Sequence, residues 1–192
     1  LATLAAGYLD PIALATHQIV LNYASLTYMV PLGISAAAAV SVGHATGAGD
    51  PARARRAGWL SLALGTSFML LAAISFLVVP NGLIALYTRD PQVMTMGRSL
   101  LAIVAAFEIV DGIQTIATGA LRGLGETRVP MLANLLGYWV MGLPLGFFLC
   151  FVLRQGIYGL WIGLTLALIL IAVMLLLRWR RDSARMTRRA NP

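Results

Sequence analysis

The feature that most constrains this chain is a succession of long apolar runs, separated by short segments rich in proline, glycine and arginine. A run of about 20 apolar residues is long enough to cross a bilayer as a helix. Hydrophobic residues make up 59% of the chain and charged residues 11%. Ordinary soluble domains carry about 25% charged residues. Mean hydropathy is +0.84. The expected fold class is therefore all-α, a polytopic transmembrane helical bundle in a lipid bilayer.

The runs divide the chain. Residues 1–9 read as the end of a truncated transmembrane helix, and residues 12–179 as five complete spans. Residues 180–192 read as a basic cytoplasmic tail, disordered or lying on the headgroups. Asp10-Pro11, Asp50-Pro51 and Asp90-Pro91 are helix-start signals, the aspartate as cap and the proline in the first turn. Pro31, with Gly33, is expected to kink or divide the first long run, and Pro144 to break a backbone bond in the fourth. Both prolines are candidate hinges, or static kinks held by neighbouring helices. Gly43 and Gly47 have the small-xxx-small spacing of close helix contacts. His17 reads as structural or interfacial, and no chemistry is assigned to His44.

All fourteen basic residues are arginine, and the formal net charge is +7. The arginines sit between the apolar runs and at the C-terminal end. That is the pattern of loops in a membrane protein, not of a nucleic-acid groove. Eleven of them (53, 55, 56, 122, 128, 178, 180, 181, 185, 188 and 189) fall on one side of the expected topology, and 89, 98 and 154 on the other. The positive-inside rule makes the first side, with the C-terminus, cytoplasmic. The arginine-only basic set, with abundant alanine and glycine, suggests a GC-rich bacterial genome, so the expected location is a bacterial inner membrane. The single cysteine, Cys150, excludes an internal disulfide. Neither a zinc-type Cys/His cluster, nor a nucleotide loop, nor a nucleophile–base pair is present. An enzyme and a bound cofactor are not expected. Any transport would be driven by an ion gradient or a partner.

Residues 105–128 hold the chemistry. Glu108 and Asp111 interrupt an apolar helix and share one face three residues apart. Thr115 and Thr118 continue that face, with Gln114 beside it. A carboxylate near mid-bilayer costs about 2.5–3.5 kcal/mol on insertion scales, and such acids usually face a water-filled cavity, a cation or a proton path. Asp111 is the leading cation-coupling candidate and Glu108 the second. Either could instead only hydrogen-bond neighbouring helices. Gln18, Asn22 and Ser25 form a polar stripe at helical spacing, and Asn134 and Tyr138 share a face four residues apart. These are candidates for cavity lining, and Thr115 joins them.

Several phrases, in order, resemble the multidrug and toxic compound extrusion (MATE) family, in its bacterial NorM-like branch. They are LATHQI (14–19), PLGIS (31–35), GAGD (47–50), GALRGLGET (119–127), GYWVMGLPLG (137–146) and GIYGLWIG (156–163). The resemblance implies twelve helices in two six-helix lobes, working by alternating access. This chain would be the C-terminal lobe, with a missing N-terminal lobe expected in the same full-length chain. It implies export of organic cations and drug-like molecules in exchange for protons or sodium ions. Asp111 matches the family's cation-coupling aspartate by its place ahead of the GALRG phrase. A tyrosine that can accompany a sodium site is replaced by Phe107, so sodium at Asp111 is in doubt and a proton is at least as compatible. The rival readings are a lipid-linked sugar flippase of a related two-lobe class, and a non-transporting membrane subunit. The flippase would call for a cationic cleft, and the subunit would use Asp111 only for stability or assembly.

Overall fold

The protein is described by a computed structural model over residues 2–190. Leu1, Asn191 and Pro192, at the tips of the two terminal segments, lie outside the described residues. Eight α-helices follow in order: α1 (Ala2–Leu9), α2 (Pro11–Gly47), α3 (Pro51–Val78), α4 (Pro80–Ala85), α5 (Pro91–Gly123), α6 (Arg128–Leu136), α7 (Leu143–Phe147) and α8 (Gly156–Ala190). Two π-helical turns, Gly137–Gly142 and Phe148–Val152, join α6 and α7 into one membrane crossing. Among the described residues, five helical segments are long and apolar enough to cross a membrane.

The N-terminal boundaries of α2, α3 and α5 are each made by an Asp-Pro pair. Asp10 accepts from Ala13 N–H at 2.7 Å, Asp50 from Arg53 N–H at 2.9 Å, and Asp90 from Gln92 N–H at 2.8 Å. The proline that follows each has no N–H to leave unsatisfied in the first turn. α2 stops because Gly49 adopts φ 71°, which lets Asp50 N–H return to the Ala45 carbonyl at 3.0 Å.

α5 is the most buried of the five crossings and packs chiefly against α2, then against α8 and α3. Small residues let α2 and α5 approach. A Cβ on Gly119 would meet the Ser35 carbonyl oxygen at 2.2 Å, and one on Gly123 the Ala39 carbonyl oxygen at 2.7 Å. The close-contact ladder is thus Ser35, Ala39 and Gly43 against Gly119 and Gly123. Gly43 belongs to it, but Gly47 faces open space.

Two further expectations change. Pro31 does not divide the first run, for α2 is one helix from Pro11 to Gly47. Pro31 is buried within it, so neighbouring helices cover the backbone that it interrupts. The expected disorder of the C-terminal segment is also not observed, since α8 continues to Ala190. Fully buried Trp179 and Ser183 pack its polar end against the bundle. Pro144 sits at the start of α7 between the two π-helical turns. Wider turns of this kind accommodate residues that cannot complete the ordinary ladder.

Candidate functional site

Glu108, Asp111 and Gln114 project from one face of α5 toward α2 and α6. Between these helices lies a cavity of about 410 Å3. α2 contributes Ser25 and Tyr28, and the α6 crossing contributes Asn134 and Tyr138. Phe107 lines the same space and stands edge-on to Trp161, with ring centroids 5.3 Å apart. Glu108 is 1% exposed and Asp111 7%.

Oxygen acceptors dominate the polar groups here. Glu108 Oε2 accepts from the Thr27 hydroxyl at 2.5 Å, while Oε1 is buried without a partner. Asp111 Oδ1 accepts from Gln114 Nε2 at 3.1 Å. The same Gln114 nitrogen reaches Thr115 Oγ1 at 3.2 Å, which leaves Gln114 Oε1 without a donor. Asn134 Oδ1 is likewise buried and unpartnered. Leaving one such group unsatisfied costs about 1–3 kcal/mol. No arginine lines the cavity. A site with two carboxylates and no basic side chain suits a species that brings positive charge or a proton. Among the described residues, no group of three or more His, Cys, Asp or Glu side chains gathers as a metal site.

The structure brings Asp111, Glu108, Asn134 and Tyr138 together around one space. Thr115 lies behind it. Its carbonyl accepts from Ser35 Oγ at 2.8 Å, so it ties α5 to α2. Gln18 and Asn22 are exposed and line no part of the cavity; Asn22 Nδ2 donates to the Gln18 carbonyl instead. The rotation of α2 is set by its other faces. His17 accepts from Trp161 Nε1 at Nδ1, 3.2 Å away, and pairs with Thr3 through Nε2 at 3.3 Å. The indole can only donate, so Nδ1 must be the unprotonated nitrogen. Tyr23 donates to the Leu83 carbonyl at 2.7 Å. With residues 17, 20, 23 and 24 turned inward, residues 18 and 22 fall outside.

Sequence reasoning did not reach Thr27 or Tyr28. Tyr28 follows Ser25 by three residues and could have been found by extending that face. Thr27 carries no local signal, because its partner lies 81 residues away. Asn134 also borders a second cavity of about 220 Å3, which reaches Thr118, Arg122 and Glu126 toward the α5–α6 loop.

The comparisons with known proteins agree with this architecture. The MatE family model matches residues 1–148. The probable multidrug resistance protein NorM of Burkholderia pseudomallei (strain K96243) is 46% identical over 193 residues, covering 98% of this chain and 41% of that protein. The multidrug resistance protein NorM of Burkholderia vietnamiensis is 48% identical over 182 residues, covering 92% of this chain and 39% of that protein. A crystal structure of a eukaryotic MATE transporter superposes with a TM-score of 0.83 at 25% identity, covering 98% of this chain and 44% of that one. This chain therefore spans about two fifths of the length of the curated relatives it matches. On the family match, the identity along almost its whole length and the shared helical bundle, the chain belongs to the MatE family.

Proposed function

We propose that this chain is the C-terminal lobe of an ion-coupled antiporter of the bacterial inner membrane, exporting organic cations and drug-like molecules by alternating access. The observation that carries this reading is the acceptor-rich cavity around Asp111, which no cationic side chain lines. The relatives' names, as multidrug resistance proteins, support the substrate class. An N-terminal lobe in the same full-length chain completes the cleft, and the arginine-rich end faces the cytoplasm.

Asp111 does the coupling. Ionised, it holds a cationic substrate against the aromatic walls of Tyr28, Phe107 and Tyr138. A proton or a sodium ion arriving from outside neutralises it and releases the substrate outward. The drive is the difference in affinity between the loaded states, with no chemical step. Phe107 has no oxygen to offer sodium. Besides Asp111, the side-chain oxygens within the site are those of Ser25, Tyr28, Glu108, Gln114, Asn134 and Tyr138. Pro31 and Pro144 serve as the flexing points of their crossings. A flippase for pyrophosphate-linked sugars would need cations where this cavity has carboxylates.

The test is Asp111→Asn in the full-length protein. Drug efflux should be abolished while membrane insertion stays intact. Unchanged efflux overturns the role of Asp111.

A further inference from the structure

The end of α8 and the start of α3 build a second site, unrelated to the cavity around Asp111. Trp179 is fully buried, and a Cβ on Gly58 would meet its Cζ2 at 2.0 Å. This contact locks the polar end of α8 against the first turns of α3. It also sets the helices in a common register: Arg55 lies just before the apolar part of α3, and Arg180 just after the apolar part of α8.

Between them is a cleft of about 690 Å3 lined by Arg55, Arg180, Arg181 and Arg188, with Leu177 at its apolar edge. The neighbouring Arg178 shows what a compensated arginine looks like here. It pairs with Glu126 at 3.0 Å and with Asp182 at 2.7 Å. Among the described residues, no acid pairs with the four arginines of the cleft. Four like charges held by two packed helices repel one another, and no such ion pair among the described residues offsets them. Guanidinium groups match phosphate oxygens in a fork geometry. Exposed Leu170, Val173, Met174 and Leu177 lead along α8 to the cleft, which places it where acyl chains end and headgroups begin.

We propose that this cleft binds the phosphate of an anionic phospholipid, with Arg55, Arg180, Arg181 and Arg188 around the headgroup and Leu177 against the acyl chain. The lipid then bridges α3 and α8 from outside, while Trp179 bridges them from within.

The experiment is native mass spectrometry on the full-length protein in neutral detergent, offered equal amounts of phosphatidylglycerol and phosphatidylcholine. The wild type should retain phosphatidylglycerol in preference. Arg55→Gln with Arg181→Gln should lower that preference about fivefold for each arginine removed. Arg122→Gln, at the same end of the bundle but outside the cleft, should leave it unchanged. Should the double variant fail to fold, Arg188→Gln alone, at an exposed position, should give the single fivefold loss. Equal retention of the two lipids by the wild type overturns the proposal, as would follow if an acidic segment outside this chain filled the cleft. An undiminished preference in the folded variants overturns it too. Complete displacement of phosphatidylglycerol by inorganic phosphate would make the cleft a free-phosphate site and sink the lipid assignment.

Discussion

Thr27 on α2 and Glu108 on α5 are joined by a hydrogen bond that crosses the most extensive helix–helix contact among the described residues. The Thr27 hydroxyl has one hydrogen, yet three acceptors lie within reach: Glu108 Oε2 and the carbonyls of Tyr23 and Ala24, both at 3.0 Å. It can donate to an ionised Glu108, or turn to a carbonyl and accept from a protonated one. Either protonation state of Glu108 keeps a partner.

Thr27→Val removes that partner and leaves both oxygens of a buried carboxyl unsatisfied. The variant should lose about 1–3 kcal/mol of stability, read as a lower melting temperature of the full-length protein. Adding Glu108→Leu should recover part of the loss, because both polar groups are then gone. Wild-type melting in the single variant would show that Glu108 gains nothing from the hydroxyl.

Gly119 and Gly47 make a matched pair of tests. A methyl at Gly119 runs into the Ser35 backbone, which cannot turn aside as a side chain could. Gly119→Ala should cost about 1–3 kcal/mol. Gly47 faces open space at the end of α2, so Gly47→Ala should be neutral or stabilise by up to about 1 kcal/mol. Thermal unfolding of the two variants checks both, and equal melting temperatures would count against the ladder.

Glu126 fastens the α5–α6 loop to α8. The Val129 backbone N–H, 3.2 Å from Oε1, and the Arg178 guanidinium, 3.0 Å from Oε2, hold its carboxyl below the usual range. A depressed carboxylate stabilises the fold above its unfolded pKa, about 4.3 for glutamate. That contribution disappears as pH falls through the lower folded value. Glu126→Gln should therefore exchange its loop amides faster than the wild type at neutral pH. The two should converge as pH falls through that lower folded value. Hydrogen exchange across 124–129 reads the difference, and identical protection at neutral pH would remove the loop's dependence on this acid.

Asp111 was legible in the sequence because a charge inside a spanning run is costly enough to demand a reason. For Gln18 and Asn22, helical spacing defines a stripe without saying which way it faces. His17, Tyr23 and their distant partners Trp161 and Leu83 decide that. The C-terminal segment misled for a related reason. Its arginines read as a tail that is disordered or lies on the headgroups, while Trp179, just before it, finds a glycine-sized gap on α3.

The sequence alone determined the all-helical membrane class, the helix starts at Asp-Pro, and the acid within α5. Each rests on interactions within a few residues: apolar length, capping and the cost of burying charge. Only the tertiary structure decided what surrounds Asp111, which glycines touch, and that α8 carries three arginines to Arg55. Those depend on helix rotation and depth. Rotation and depth are set by contacts between residues 60 to 144 positions apart, which no local pattern encodes.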